Sequence, residues 1–123
     1  MYYYGMGFSQ VFGMLLVLFK HWAVSPAEQL ALLGLPAGDM HSLGCLQRGE
    51  PIATDADTLT RAGDPLGIHA ALRSLFPKNP HLAYTWVRRP NLAFYNRAPM
   101  EIMLGDMLGL VQVRQYLEDQ CWG

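Results

Sequence analysis

Apolar residues recur along this chain at the three- and four-residue spacing of helices, and proline and glycine cut that pattern into short lengths. No useful stretch alternates with a strand's period of two. The expected fold is therefore all-α: a small multi-helix bundle of seven or so short helices. A first helix is predicted over Phe8–Trp22. Ser25-Pro26-Ala27-Glu28 has the form of a capping box with proline in the first turn, and Gly34 is placed to stop the helix it opens. A poorer helix is expected over Ala37–Arg48, closed by Gly49 before the Pro51 loop. Asp55 or Asp57 is then placed to cap a helix reaching about Ala62. Asp64-Pro65 reads as a fresh cap and first-turn proline, so the next helix, burying Ile68, Leu72, Leu75 and Phe76, is expected to start there, split or kinked from what precedes it. Asn79-Pro80 opens another helix with Leu82, Ala83, Trp86 and Val87 on one face, which Pro90 ends. Tyr95-Asn96-Arg97 is expected to turn, Pro99 to start a short helix, and Gly105-Asp106 to break it. In the final helix, about Asp106–Gln120, Leu110, Val113, Leu117 and Cys121 form a stripe.

The chain has 123 residues, of which 51% are apolar and 15% charged. That is enough apolar surface to offset the ordering entropy, and few enough charges that part of it is expected to end in an interface. A homodimer through the first helix, or a larger hetero-oligomer, follows as an expectation. Net charge is −1; residues 1–63 carry three basic and five acidic side chains, residues 64–123 six and five. No global field draws the protein to nucleic acid or membrane. The unbroken apolar run Val11–Phe19 is far short of the ~20 residues a bilayer requires. With no basic residue before it and no cleavage site after it, it reads as a buried helix of a cytoplasmic protein. Cys45 and Cys121, outside any C-x-x-C pair, read as reduced thiols. His21, His41, His69 and His81 lie far apart without catalytic or zinc spacing, so no catalytic residue, metal site or cofactor is expected, and the protein is not expected to be an enzyme.

Two helices joined by a glycine-containing turn, Ser25–Leu33 and Ala37–Arg48, match the outline of a helix-turn-helix. The second offers His41, Ser42, Gln47 and Arg48 as candidate DNA-binding residues, thin chemistry for base readout in a half of net charge −2.

The C-terminal half carries the informative strings. They are Leu66-Gly67-Ile68-His69-Ala70-Ala71-Leu72-Arg73-Ser74-Leu75-Phe76-Pro77, Ala83-Tyr84-Thr85-Trp86, Arg89-Pro90-Asn91-Leu92-Ala93-Phe94, Ala98-Pro99-Met100-Glu101-Ile102-Met103 and Gly109-Leu110-Val111-Gln112-Val113-Arg114-Gln115-Tyr116-Leu117. In this order and spacing they closely resemble the MbcA/ParS/Xre antitoxin family, partners of RES-domain toxins. The resemblance runs from about Leu66 to Gly123, and more weakly over Ser25–Gly49, where the family has its Xre-type helix-turn-helix. It implies two regions: a helix-turn-helix region over 1–63 and a toxin-binding domain over 64–123. RES toxins consume NAD⁺ or use it as an ADP-ribose donor, and the resemblance implies an antitoxin that docks on such a toxin and closes its nucleotide site. It also implies binding of promoter DNA, although here the second helix lacks the family's tryptophan and basic residues.

On that reading the toxin-binding residues are Arg88, Arg89, Arg97, Arg114, Tyr116, Leu117, Gln120, Cys121, Trp122 and Gly123. Arginine and aromatic side chains suit a protein interface, and a last helix ending in Trp122 and a carboxylate suits a plug for an anionic nucleotide's pocket. Removing Leu117–Gly123 is expected to spare the fold and release the toxin. Against the docking role, Arg73 and Arg114 are also placed to pair with acids inside the domain, and Tyr84, Trp86 and Phe94 to pack in the core. The rival reading is a helix-turn-helix DNA-binding regulator acting without a toxin.

Overall fold

A computed structural model describes residues 8–48, 50 and 56–122, with the side chains of all but 8, 9, 56–60 and 122. Seven α-helices occur among the described residues: α1 (Phe8–His21), α2 (Pro26–Leu32), α3 (Met40–Gln47), α4 (Ala56–Leu75), α5 (Pro80–Thr85), α6 (Pro99–Gly105) and α7 (Met107–Trp122). Two 3₁₀ turns, Trp86–Arg88 and Leu92–Phe94, link α5 to α6. No strand occurs among the described residues, and the all-α bundle expected from the periodicity is what forms.

α1 turns Val11, Phe12, Leu15, Leu18, Phe19 and Trp22 into the core, the spacing of one broad helical stripe. No helix of the described residues is long and apolar enough to cross a membrane. Its C-terminus is a Schellman turn: Val24 N donates to Phe19 O at 3.0 Å and Ala23 N to Lys20 O at 3.1 Å. Ala23 sits there with φ 54°, a left-handed conformation usually left to glycine. α2 begins with the expected capping box, in which Glu28 N donates to Ser25 Oγ at 3.2 Å and Ser25 N to Glu28 Oε1 at 2.9 Å. It ends in the same Schellman pattern, with Gly34 at φ 70°. α3 starts later than the sequence suggested, capped by Asp39 through Ser42 N.

α4 corrects the expected break at Asp64-Pro65. It is one 20-residue helix with Pro65 inside it. Proline removes one backbone bond, yet burial continues unbroken across it through Ala62, Pro65, Leu66, Ile68 and Leu72. Asp64 is not a cap but a buried side chain, bonded to Arg114 of α7 at 2.8 Å. Packing of one continuous helix against α1 on one side and α7 on the other outweighs the local proline signal. The boundary expected at 63/64 falls inside this helix. Caps expected from Asp55 or Asp57, the loop at Pro51, the stop at Gly49 and the Tyr2-Tyr3-Tyr4 start lie outside the described residues or side chains.

The stripe predicted for α7 is correctly placed: Leu110, Val113 and Leu117 are fully buried, and Cys121 is half-buried with its thiol toward the Ala71 carbonyl. α6 packs beneath α7. A Cβ at Gly109 would overlap the Ile102 carbonyl oxygen, so the two helices can approach this closely only with glycine there.

Candidate partner-binding face of the C-terminal helices

The face is built from the segment between α5 and α7. Asn79 caps α5 through Leu82 N at 3.1 Å, and Pro80 occupies the first turn. After Pro90 the chain wraps around Asn91. Its side chain accepts from Ala93 N at 2.9 Å, its backbone N donates to Arg97 O at 3.1 Å, and its carbonyl accepts from Phe94 N and Asn96 N, each at 2.9 Å. Tyr95 and Asn96 both take left-handed φ values, 56° and 63°, to close the turn. The result drives Phe94 into the core and leaves Leu92 and Tyr95 outside, 86% and 93% exposed.

Beneath the turn lies an aromatic cluster. Phe94 meets Tyr116 edge-on at 5.2 Å between ring centroids, and Trp86 lies 6.4 Å from Phe94 and 6.3 Å from Tyr116. Asp106 caps α7 by accepting from Gly109 N at 2.9 Å. α7 carries a second apolar pair off its core stripe, Leu108 and Val111, both exposed. Between this pair and the Leu92–Phe94 turn runs a shallow groove of about 480 Å³, lined by Ala93 and Phe94 of the turn and by Leu108, Val111, Gln112, Gln115 and Tyr116 of α7. It continues past Leu108 and Gln112 toward Arg97, Glu101 and Asp106.

The residues singled out from sequence divide sharply. Arg88 is turned inward: Nε donates to Trp22 O at 3.1 Å, Nη2 to Ala23 O at 2.9 Å, and the guanidinium pairs with Glu28 at 3.1 Å. This pairing, with the Ser25 backbone bond, holds the Glu28 carboxyl below its ordinary range. Arg114 likewise serves the fold, bonded to Asp64 and to Glu118, each at 2.8 Å. Leu117 is a core residue, so removing residues 117–123 would cut into the core and not spare the fold. Arg89, Arg97 and Gln120 are exposed; Arg97 pairs with Glu101 at 3.3 Å, and Arg89 makes no ion pair among the described residues. Tyr116 is half-buried, one edge in the aromatic cluster and the other on the groove. The Trp122 side chain and Gly123 lie outside the described residues. Leu92, Tyr95, Leu108 and Val111 were not singled out from sequence. The signal for the last two was available: Leu108 and Val111 are three apart and off the stripe through Leu110, Val113 and Leu117.

In the N-terminal half, Ser42 and Arg48 are already committed. Ser42 Oγ donates to Asp39 Oδ2 at 2.8 Å, and Arg48 pairs with Glu50 through bonds of 2.8 and 3.2 Å. The Ser42 backbone and side-chain bonds pull the Asp39 carboxyl below its ordinary value. His41 lies 3.8 Å from the Cys45 sulfur, and Gln47 is exposed. The arginine that follows α3 is thus neutralised locally. Among the described residues no group of three or more His, Cys, Asp or Glu side chains is placed to hold a metal ion.

Residues 71–123, from late α4 through the groove and α7, match the family described as the antitoxin Xre/MbcA/ParS C-terminal toxin-binding domain. The uncharacterized protein y4oB of Sinorhizobium fredii is 36% identical over 103 residues, which span 83% of this chain and 77% of that protein. With a toxin-binding domain laid out over the aromatic cluster, groove and last helix, and a relative aligned through most of the remaining length, this chain belongs to the Xre/MbcA/ParS antitoxin family and is the antitoxin of a toxin–antitoxin pair.

Proposed function

We propose that this antitoxin neutralises a RES-domain toxin, one that consumes NAD⁺ or uses it as an ADP-ribose donor, by docking its C-terminal helices over the toxin's nucleotide site. The observation that carries this is the run of five strings from Leu66 to Leu117 resembling the partners of RES toxins, all but its first five residues lying in the segment that matches a toxin-binding domain. The exposed Arg89, Arg97 and Gln120 are suited to the rim of such an interface, where polar side chains set orientation. Arg88, Arg114 and Leu117 act indirectly, by holding the domain in shape. The neutralising complex forms in the cytoplasm and contains more than one antitoxin copy, consistent with a chain of few charges and several exposed apolar side chains.

Autoregulation of the operon is a weaker part of the same reading. With Ser42 hydrogen-bonded to Asp39 and Arg48 paired with Glu50, α3 offers His41 and Gln47 for contact with DNA, and binding by the antitoxin alone is expected to be weak and salt-sensitive.

Co-expression with the toxin encoded beside the antitoxin gene tests the proposal. The expected result is a complex on size exclusion, with cellular NAD⁺ depleted by the toxin alone and preserved by the pair. A toxin that leaves NAD⁺ unchanged and modifies no acceptor with ADP-ribose overturns the RES reading.

A further inference from the structure

We propose that the groove between the Leu92–Phe94 turn and α7 is the principal toxin-docking surface, and that it receives an apolar ridge of the toxin. The partner's identity as a RES toxin rests on the reading above; the placement of the surface does not. Seven large apolar side chains stand exposed among the described residues, and four of them, Leu92, Tyr95, Leu108 and Val111, fall inside the toxin-binding segment 71–123. Leu108 and Val111 line the groove, and Leu92 and Tyr95 belong to the turn whose Ala93 and Phe94 line it from the other element. Each leaves apolar area in water without any return to the fold, the usual mark of a surface completed by a partner.

Tyr95 makes the case from a second direction. It is a bulky residue held in the left-handed region, and its ring is 93% exposed, so the backbone strain is not offset by packing within the domain. The turn leaves Tyr95 in solvent, next in sequence to Phe94 of the groove lining, and tyrosine is well suited as an interface anchor.

The groove also defines the chemistry of its occupant. Its centre is uncharged: Gln112 and Gln115 flank the apolar floor, with Asp119 at one end and Asp106 and the Arg97–Glu101 pair beyond Leu108 at the other. Among the described residues no unpaired cation lines it, which disfavours a nucleic acid and favours a protein ridge of aliphatic or aromatic side chains. Because the groove follows α7 from Leu108 to Asp119, a toxin seated there would have the last turn of α7 carried onto its surface. Docking along the groove thus sets the register for whatever that last turn obstructs.

The test uses the full chain with the toxin encoded beside it. The double variant Leu108→Glu/Val111→Glu places two charges on the apolar wall at exposed positions. Binding is expected to weaken by at least ~100-fold, with the melting temperature held close to wild type. Tyr95→Asn keeps a residue that tolerates the left-handed turn and removes the ring; it is expected to weaken binding ~10-fold or more. Met40→Glu, at an exposed apolar position at the start of α3, is expected to leave affinity unchanged. Wild-type affinity in both groove variants overturns the proposal, as does an equal loss in the Met40 variant. Whether the toxin acts on NAD⁺ is read separately, so failure of the RES assignment and failure of the groove give different results.

Discussion

Arg114 on α7 and Asp64 on α4, fifty positions apart in sequence, form a 2.8 Å ion pair at the centre of the helix contact. The Asp64 side chain is 6% exposed and that of Arg114 25%, so removing the arginine takes its ion-pair partner from a buried carboxylate. Arg114→Ala is expected to cost about 2–4 kcal/mol. Joint replacement, Asp64→Leu with Arg114→Met, is expected to cost less than the sum of the two single changes, because no charge is stranded. Urea unfolding of the four proteins checks both; additive losses would show that the pair acts as two independent residues.

Arg88 clasps the corner after α1, where Ala23 occupies the left-handed position that Gly34 fills after α2. Arg88→Lys cannot reproduce a fork that reaches two carbonyls and a carboxylate, and is expected to lose about 1–2 kcal/mol in denaturant unfolding. Ala23→Gly acts the other way, relieving the left-handed strain for a gain of about 0.5–1 kcal/mol. No gain from glycine would mean that the corner is not strained by its alanine.

Gly109 lies where α7 crosses α6, with the Ile102 carbonyl filling the place a side chain would take. Because the obstacle is backbone, no rotamer change can relieve it. Gly109→Ala is expected to cost about 3 kcal/mol, through separation of the helices. Gly105→Ala, where nothing lies within reach of an added methyl, is the control and is expected to be close to neutral or stabilising. Thermal melting of the two variants distinguishes them directly.

His69 stacks on Tyr84 at 4.8 Å, while His21 stacks on Tyr84 at 4.0 Å. Burial lowers the His69 pKa below its ordinary 6.5, and the positive charge of Arg73 and the proximity of His21 push it the same way. From 6.5 down to the lowered value the unfolded chain holds more protons than the folded one, so stability falls as pH drops through this window and is fully present above 6.5. His69→Phe preserves a stacking partner for Tyr84 and removes the titration. The variant is expected to lose less stability than wild type between pH 7.5 and 5.5, as read from denaturant midpoints at each pH. An identical loss in both would assign the acid sensitivity elsewhere.

Features legible in the sequence were those closed within a few residues. The Ser25–Glu28 box, the Asn79 cap with Pro80, the turn at Tyr95-Asn96 and the hydrogen-bonding role of Asn91 all involve partners no more than six positions away. What escaped depended on distant partners. Pro65 reads locally as a helix start, and only α1 and α7 packing on either side of α4 keep the helix whole through it. Arg88 reads as an interface arginine until its carbonyl partners, 65 and 66 positions upstream, are visible.

The continuity of α4 has one further consequence. The match to the toxin-binding domain begins at residue 71, yet the carboxylate that steadies its last helix, and Leu66 and Ile68 in the shared core, come from earlier turns of α4. A fragment cut at that point would leave Arg114 facing an empty seat and a strip of α7 wet. Recognition of the toxin is therefore a property of a longer stretch of chain than the one whose residues reveal it.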